Sequence, residues 1–261
     1  MEFLNYKNKA TAARKAVLDL IFKGQTSHIG SNFSCIDFVT VLFDKIKPED
    51  EVVFSAGWKA ATAYWFLSQK GVLNWDEVMK VFPNPPYIGL LEPGPGTRFA
   101  GGSMGIAFSM AVGAARARKA LNKDGIIYVI MSDGEMDCGN VWESAMKASH
   151  EGLINLVVIV DCNGFQAMGK KGDILRSAPL ANRWDTFGWQ SWDVQGHDFE
   201  NIEYHLKQIF RPLLGEKEID KPNVLLATTT KGKGVSFMED NNDWHYRKLD
   251  KDTYEKALSE L

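Results

Sequence analysis

Short continuous apolar runs alternate along the chain with stretches in which apolar residues return at helical spacing. VVFS (52–55), IIYVIM (126–131) and LVVIV (156–160) carry no polar alternation, the signature of strands covered on both faces. QSWDV (190–194) and NVLLATTT (223–230) extend the same set. Helices are predicted over 12–24, 34–46 behind a capping Ser34, 60–71 ending on Gly71, 103–121, 141–152, 201–214 and 253–261. QTSHIGSN (25–32) reads as a polar loop, and the Pro- and Gly-dense stretch 82–99 as a long irregular excursion of the kind that usually carries function. The order of elements predicts an α/β fold: an open, mostly parallel sheet with helices on both faces, built as one domain over 1–261 without repeats or linkers.

Composition narrows the function classes. The 261 residues are 45% hydrophobic, and Lys plus Arg number 30 against 33 Asp plus Glu, a net charge of −3. That balance offers no basic surface for nucleic acid and no excess for an acidic membrane. No apolar run approaches the roughly 20 residues of a membrane span, no export signal is visible, and Cys35, Cys138 and Cys162 follow no metal or disulfide spacing. A cytoplasmic protein is expected.

In open parallel sheets, ligands bind beyond the carboxyl ends of the strands. There the sequence places Ser132-Asp133-Gly134-Glu135 and Asp161-Cys162-Asn163-Gly164-Phe165. A carboxylate and an amide oxygen from adjacent strand ends are hard oxygen ligands that suit Mg²⁺ or Ca²⁺ together with phosphate. Taken singly, each segment reads first as an ordinary Asx turn.

Asp133 and Asn163 lie thirty residues apart across a strand-helix-strand unit, and SDGE…DCNG resembles the GDG…N thiamine-diphosphate motif. SDGEMDCGNVWESAMKASHEGLINLVVIVDCNGFQAMG, with SHIGSNF, EVVFSAGWKA, AGGSMGIAFSM, GWQSWDVQGHD and TTTKGKGVSFMEDNNDWH in order, is similar to the N-terminal, diphosphate-binding domain of transketolases. Above all it resembles the short subunit of bacterial split transketolases.

The resemblance implies thiamine diphosphate and Mg²⁺ as cofactors, with Asp133, Asn163 and the carbonyl of Phe165 as metal ligands. His28, Ser31, Gly102, Ser103, Met104, Gly134, Glu135, Asn163, Lys231 and His245 would contact the cofactor, Gly102 to Met104 as the start of a helix. His28 and His245 would also be catalytic. His150 and His205 fall in helices and His197 at a turn or rim. The implied activity is transfer of a two-carbon ketol unit from a ketose to an aldehyde. It would need a partner subunit bearing the pyrimidine-binding and C-terminal domains, in an α2β2 assembly, since the chain carries only one of the two domains that build the site.

Three departures stand out. Trp58 replaces the histidine of the family's NGH and so bears on substrate specificity; YIGLLEPGPGTRFAGG holds no counterpart of the GHPE histidine; and Cys138 stands where the family has a glutamate that meets its mate between subunits. These leave two alternatives open: a 2-ketoacid decarboxylase or acyloin-forming subunit, and a non-catalytic binding or regulatory subunit.

Overall fold

The computed structural model describes residues 2–99, 101–175, 179–213 and 221–261. Two long helices open it, α1 (Glu2–Gly24) and α2 (Ile29–Lys45), before β1 (Glu51–Phe54), α3 (Ala60–Gln69) and α4 (Trp75–Val81). After these come α5 (Ile106–Ala120), β2 (Ile127–Ser132), α6 (Gly139–His150), β3 (Leu156–Cys162), the small hairpin β4 (Phe165–Gln166) and β5 (Gly169–Lys170), and the short helices α7 (Lys171–Ile174) and α8 (Leu180–Thr186). The chain ends through β6 (Gln190–Gln195), α9 (Phe199–Leu213), β7 (Asn223–Thr228) and α10 (Lys251–Glu260). The sheet runs β1-β2-β3-β7-β6 with every pair parallel.

Successive strand residues point to opposite faces, so each apolar run feeds two cores. Tyr128, Ile130, Val157, Ile159, Leu225 and Ala227 join one with α1, α2, α3 and α9. Ile127, Val129, Met131, Leu156, Val158, Val160, Val224 and Leu226 join the other with α5 and α6. Each such fully buried Val, Ile or Leu contributes about 1.5–3 kcal/mol, which explains why the central strands carry no polar face.

The five predicted strands and the predicted helices are present, with revised ends. α1 starts ten residues before the expected position, because among the described side chains its first turns bury only Tyr6 and Ala10 and show no apolar stripe. The expected loop 25–32 is half helix: α2 begins at Ile29, and Ile29, Ser31 and Asn32 are all buried. α5 begins at Ile106, after a turn through Gly102, Ser103 and Met104, and not at Ser103. α4, α7 and α8 were not legible; α4 is capped by Asn74, whose side chain accepts from the amides of Asp76 and Glu77. Leu214, the last residue of the crossover helix expected over 201–214, lies outside the described residues. The stretch 82–99 is irregular, as its Pro and Gly content predicts. Among the described residues no helix is long and apolar enough to cross a membrane.

Candidate active site

The sheet register finishes the strands level. Ser132 pairs with Asp161 and Cys162 with Thr228, so the residues that come after β2, β3 and β7 emerge at one edge. Asp133 opens a tight turn closed by a capping box, in which Ser132 Oγ accepts from the Glu135 amide and the Glu135 carboxylate accepts from the Ser132 amide. Asp133 is 3% exposed. Its Oδ2 accepts the Gly164 amide at 2.9 Å, whereas Oδ1 is buried without a partner. Burial, followed by the nearby charge of Asp161, pushes its carboxyl up to about 7.

Asn163 is held from both ends of its amide. Nδ2 donates to Asp161 Oδ2 at 3.0 Å, and Oδ1 accepts the Phe165 amide at 3.1 Å with a lone pair to spare. Gly134 faces this group closely: a Cβ there would stand 3.0 Å from Gln166 Cγ and 3.7 Å from the Phe165 carbonyl oxygen. A bare carboxylate oxygen, an amide oxygen and a carbonyl are the donor set of a hard divalent cation. Among the described residues no three His, Cys, Asp or Glu side chains gather to hold a metal by themselves. A cation here would complete its shell with oxygens from water or a bound anion.

A second group lies across the Phe165 ring, above which the Lys231 ammonium sits at 5.3 Å. Lys231 is 1% exposed and donates to Asn242 Oδ1 at 2.6 Å and to His245 Nδ1 at 3.1 Å. Receiving that bond leaves the neutral His245 ring its proton on Nε2. His28 packs edge-on against His245, and its backbone amide donates to the His245 carbonyl at 2.8 Å. His28 caps α2 in the left-handed region, at φ 69°, which turns the chain back toward His245. Burial pulls His28 down to about 4 and His245 to about 3, with the charge of Lys231 second in both. Lys231 itself is lowered to about 8 by burial and then by the charge of Lys59.

The other expected residues join this centre less directly. Asn32 Nδ2 donates to the carbonyls of both His28 and Trp58, which ties the part-buried Trp58 to the histidine segment. Gly102, Ser103 and Met104 form an exposed turn in front of α5. Glu135 turns its oxygens inward: it accepts from Ser55 Oγ, from the Gly105 amide at 2.7 Å and from its own cap. It thus holds that turn from beneath. Ser31 is buried and its carbonyl accepts from Lys59. His150 and His205 lie on α6 and α9, away from this group, and His197 orders a turn through the Thr230 amide.

Sequence reasoning missed the buried Lys59–Asp161 pair, 2.5 Å apart with both side chains at 0% exposure. It also missed Asp37, which accepts from Arg14 and His197 at 2.7 Å each. A lysine within the apolar helix start KAATAYWF was the one available signal for the first.

Residues 6–261 match the family model described as transketolase, thiamine diphosphate binding domain. The chain is 31% identical over 264 residues to an apulose-4-phosphate transketolase subunit of Phocaeicola vulgatus, covering 95% of this chain and 90% of that protein. It is 30% identical over 275 residues to a 6-deoxy-6-sulfo-D-fructose transketolase subunit of a Clostridium species, covering 99% and 96%. Among solved structures, transketolase from Campylobacter jejuni superposes with a TM-score of 0.87 at 26% identity over 98% of this chain, which spans 42% of that one.

Proposed function

The chain belongs to the transketolase thiamine diphosphate binding domain family, and on that premise we propose that it is one subunit of a split transketolase. The reaction is transfer of a two-carbon ketol unit from a ketose-type donor to an aldehyde acceptor. The Phocaeicola and Clostridium relatives are both named as subunits, which supports a separate partner; in this reading that partner carries the pyrimidine-binding half and the two chains assemble as α2β2. Residues 1–261 act as one diphosphate-binding domain.

The observation that carries this reading is the buried, unpartnered Oδ1 of Asp133 beside Asn163. Leaving such a group unsatisfied costs about 1–3 kcal/mol or more, and a cation removes that cost. Asp133, Asn163 and the Phe165 carbonyl hold Mg²⁺; Gly134 leaves room for the diphosphate, and Lys231 faces it with a charge. Gly102, Ser103 and Met104 offer a turn to the cofactor, steadied by Glu135. The cofactor supplies, when bound, the electron sink that lets a bond beside a carbonyl break. His28 and His245, neutral at pH 7, hydrogen-bond the substrate oxygens, His245 as a donor through Nε2, with Ser31 in the first turn of α2 next to His28. Trp58 shapes the substrate side. Three free thiols suit the reducing cytoplasm.

Titration of thiamine diphosphate and Mg²⁺ into the chain mixed with its partner tests the reading. Asp133→Ala should abolish metal-dependent affinity, and the isolated chain should be inactive until the partner is added. Unchanged affinity in Asp133→Ala would remove the metal assignment, and carboligation by the purified single chain would remove the split enzyme.

A further inference from the structure

Directly behind the proposed cation ligands lies a charge that the reaction does not call for. Lys59 comes next to Trp58 in the turn after β1, yet its ammonium is wholly buried and reaches across the carboxyl edge of the sheet to Asp161 Oδ2 at 2.5 Å and the Ser31 carbonyl at 2.6 Å. Asp161 gathers four donors. Its Oδ2 accepts from Lys59, from Ser34 Oγ at 2.6 Å and from Asn163 Nδ2 at 3.0 Å, and its Oδ1 accepts from Thr229 Oγ1. These donors come from α2, from the segment after β1, from the residue that follows β3 and from the segment after β7 that leads to Lys231.

An amide has one end that donates and one that accepts, and the fixed anion at Asp161, together with the Phe165 amide on Oδ1, decides which way that of Asn163 faces. With Nδ2 committed to Asp161, Oδ1 is the end left to the cation side. The same ammonium, through Ser31, holds the α2 start that carries His28. We propose that Lys59 is a positioning residue: acting through Asp161 it orients the Asn163 amide with its oxygen toward the cation and locks the site's segments together in advance of cofactor binding. This rests on the metal assignment made under the proposed function. Burial opposes the charge on both partners, but each holds the other charged, so Lys59 stays above and Asp161 below its ordinary range.

A buried ion pair of this kind adds little net stability over an apolar pair of similar volume, whereas removing one partner is strongly destabilising. That asymmetry separates positioning from simple packing. Lys59→Met and the neutral pair Lys59→Met/Asp161→Leu are compared with wild type, in the full chain mixed with its partner, by urea unfolding and by Mn²⁺ titration with thiamine diphosphate present. Lys59→Met should lose both stability and Mn²⁺ affinity. The double variant, which removes the stranded charge but leaves Ser34, Asn163 and Thr229 without their acceptor, should regain part of the stability yet bind Mn²⁺ at least about tenfold more weakly than wild type, the scale on which outer partners of a metal site act. If Mn²⁺ affinity returns together with stability in the double variant, or never falls in Lys59→Met, the pair is only packing and the proposal is wrong. Where Lys59→Met fails to fold, the double variant alone decides. Failure of wild type to bind Mn²⁺ with thiamine diphosphate would overturn the metal assignment and this inference together.

Discussion

His28 and His245, 217 positions apart in the chain, meet edge-on with ring centroids 4.8 Å apart, and the backbone amide of one donates to the carbonyl of the other. Exposed Tyr246 lies edge-on to both rings, at 5.6 and 4.6 Å. The two imidazoles are therefore held in a fixed mutual geometry before any substrate arrives, and both are desolvated enough to stay neutral.

That neutrality has a pH signature. Both rings have folded-state values below the ordinary 6.5, about 4 and about 3, so between those values and 6.5 the unfolded chain binds more protons than the folded one. Stability from these two residues is complete above about 6.5 and is lost as pH falls toward 4. Asp133 and Glu135, whose values are raised by burial, act in the opposite sense, so the effect is read as a difference. The urea midpoint of wild type should fall more steeply between pH 6.5 and 4 than that of His28→Asn/His245→Gln. Parallel slopes would refute the desolvated pair.

Cation binding should release a proton near neutrality. Asp133 is raised to about 7 by burial first and the Asp161 charge second, and only its ionised form takes up a cation. Apparent Mg²⁺ affinity, measured calorimetrically with thiamine diphosphate and partner present, should weaken toward about tenfold per pH unit below 7. A flat profile from pH 5 to 8 would show that the carboxylate is already ionised or takes no part.

Trp58 should set substrate choice. An indole offers one donor and a broad apolar face where an imidazole offers a donor and an acceptor. Wild type is expected to favour deoxygenated or otherwise modified sugars over the common phosphorylated ketoses and aldoses, and Trp58→His to shift the ranking of kcat/KM toward the latter. A ranking that ignores the substitution would reduce Trp58 to packing.

The Arg14–Asp37–His197 network should stabilise the segment that carries Lys231, since Arg14 Nε donates to the Lys233 carbonyl at 2.9 Å and His197 Nε2 accepts the Thr230 amide at 2.8 Å. Asp37→Ala leaves the buried Arg14 without its counter-charge and should cost about 3–5 kcal/mol in urea unfolding. His197→Ala loses a donor to Asp37 and the acceptor of the Thr230 amide but strands no buried charge, and should cost nearer about 2 kcal/mol. Equal costs would mean that the charge on Asp37 matters no more than a hydrogen bond.

Residue pattern alone determined the five strands and their layering, because a strand buried on both faces has nowhere to put a polar side chain. It also located Asp133, Asn163, Phe165 and Lys231, since the residues just after parallel strands must emerge at the same edge. Tertiary structure decided the rest. That Ile29 to Asn32 are the first turn of α2 and not a loop depends on burial beneath Lys231 and Trp244, against which a Cβ at Gly30 would press at 3.1–3.5 Å. Local composition is silent about such coverage. The inward turn of Glu135 onto Ser55, the pairing of Lys59 with Asp161 and the meeting of His28 with His245 likewise depend on partners 80, 102 and 217 residues away along the chain. Charge in a buried position is tolerated only where a distant segment completes it, and no local window of sequence contains that segment.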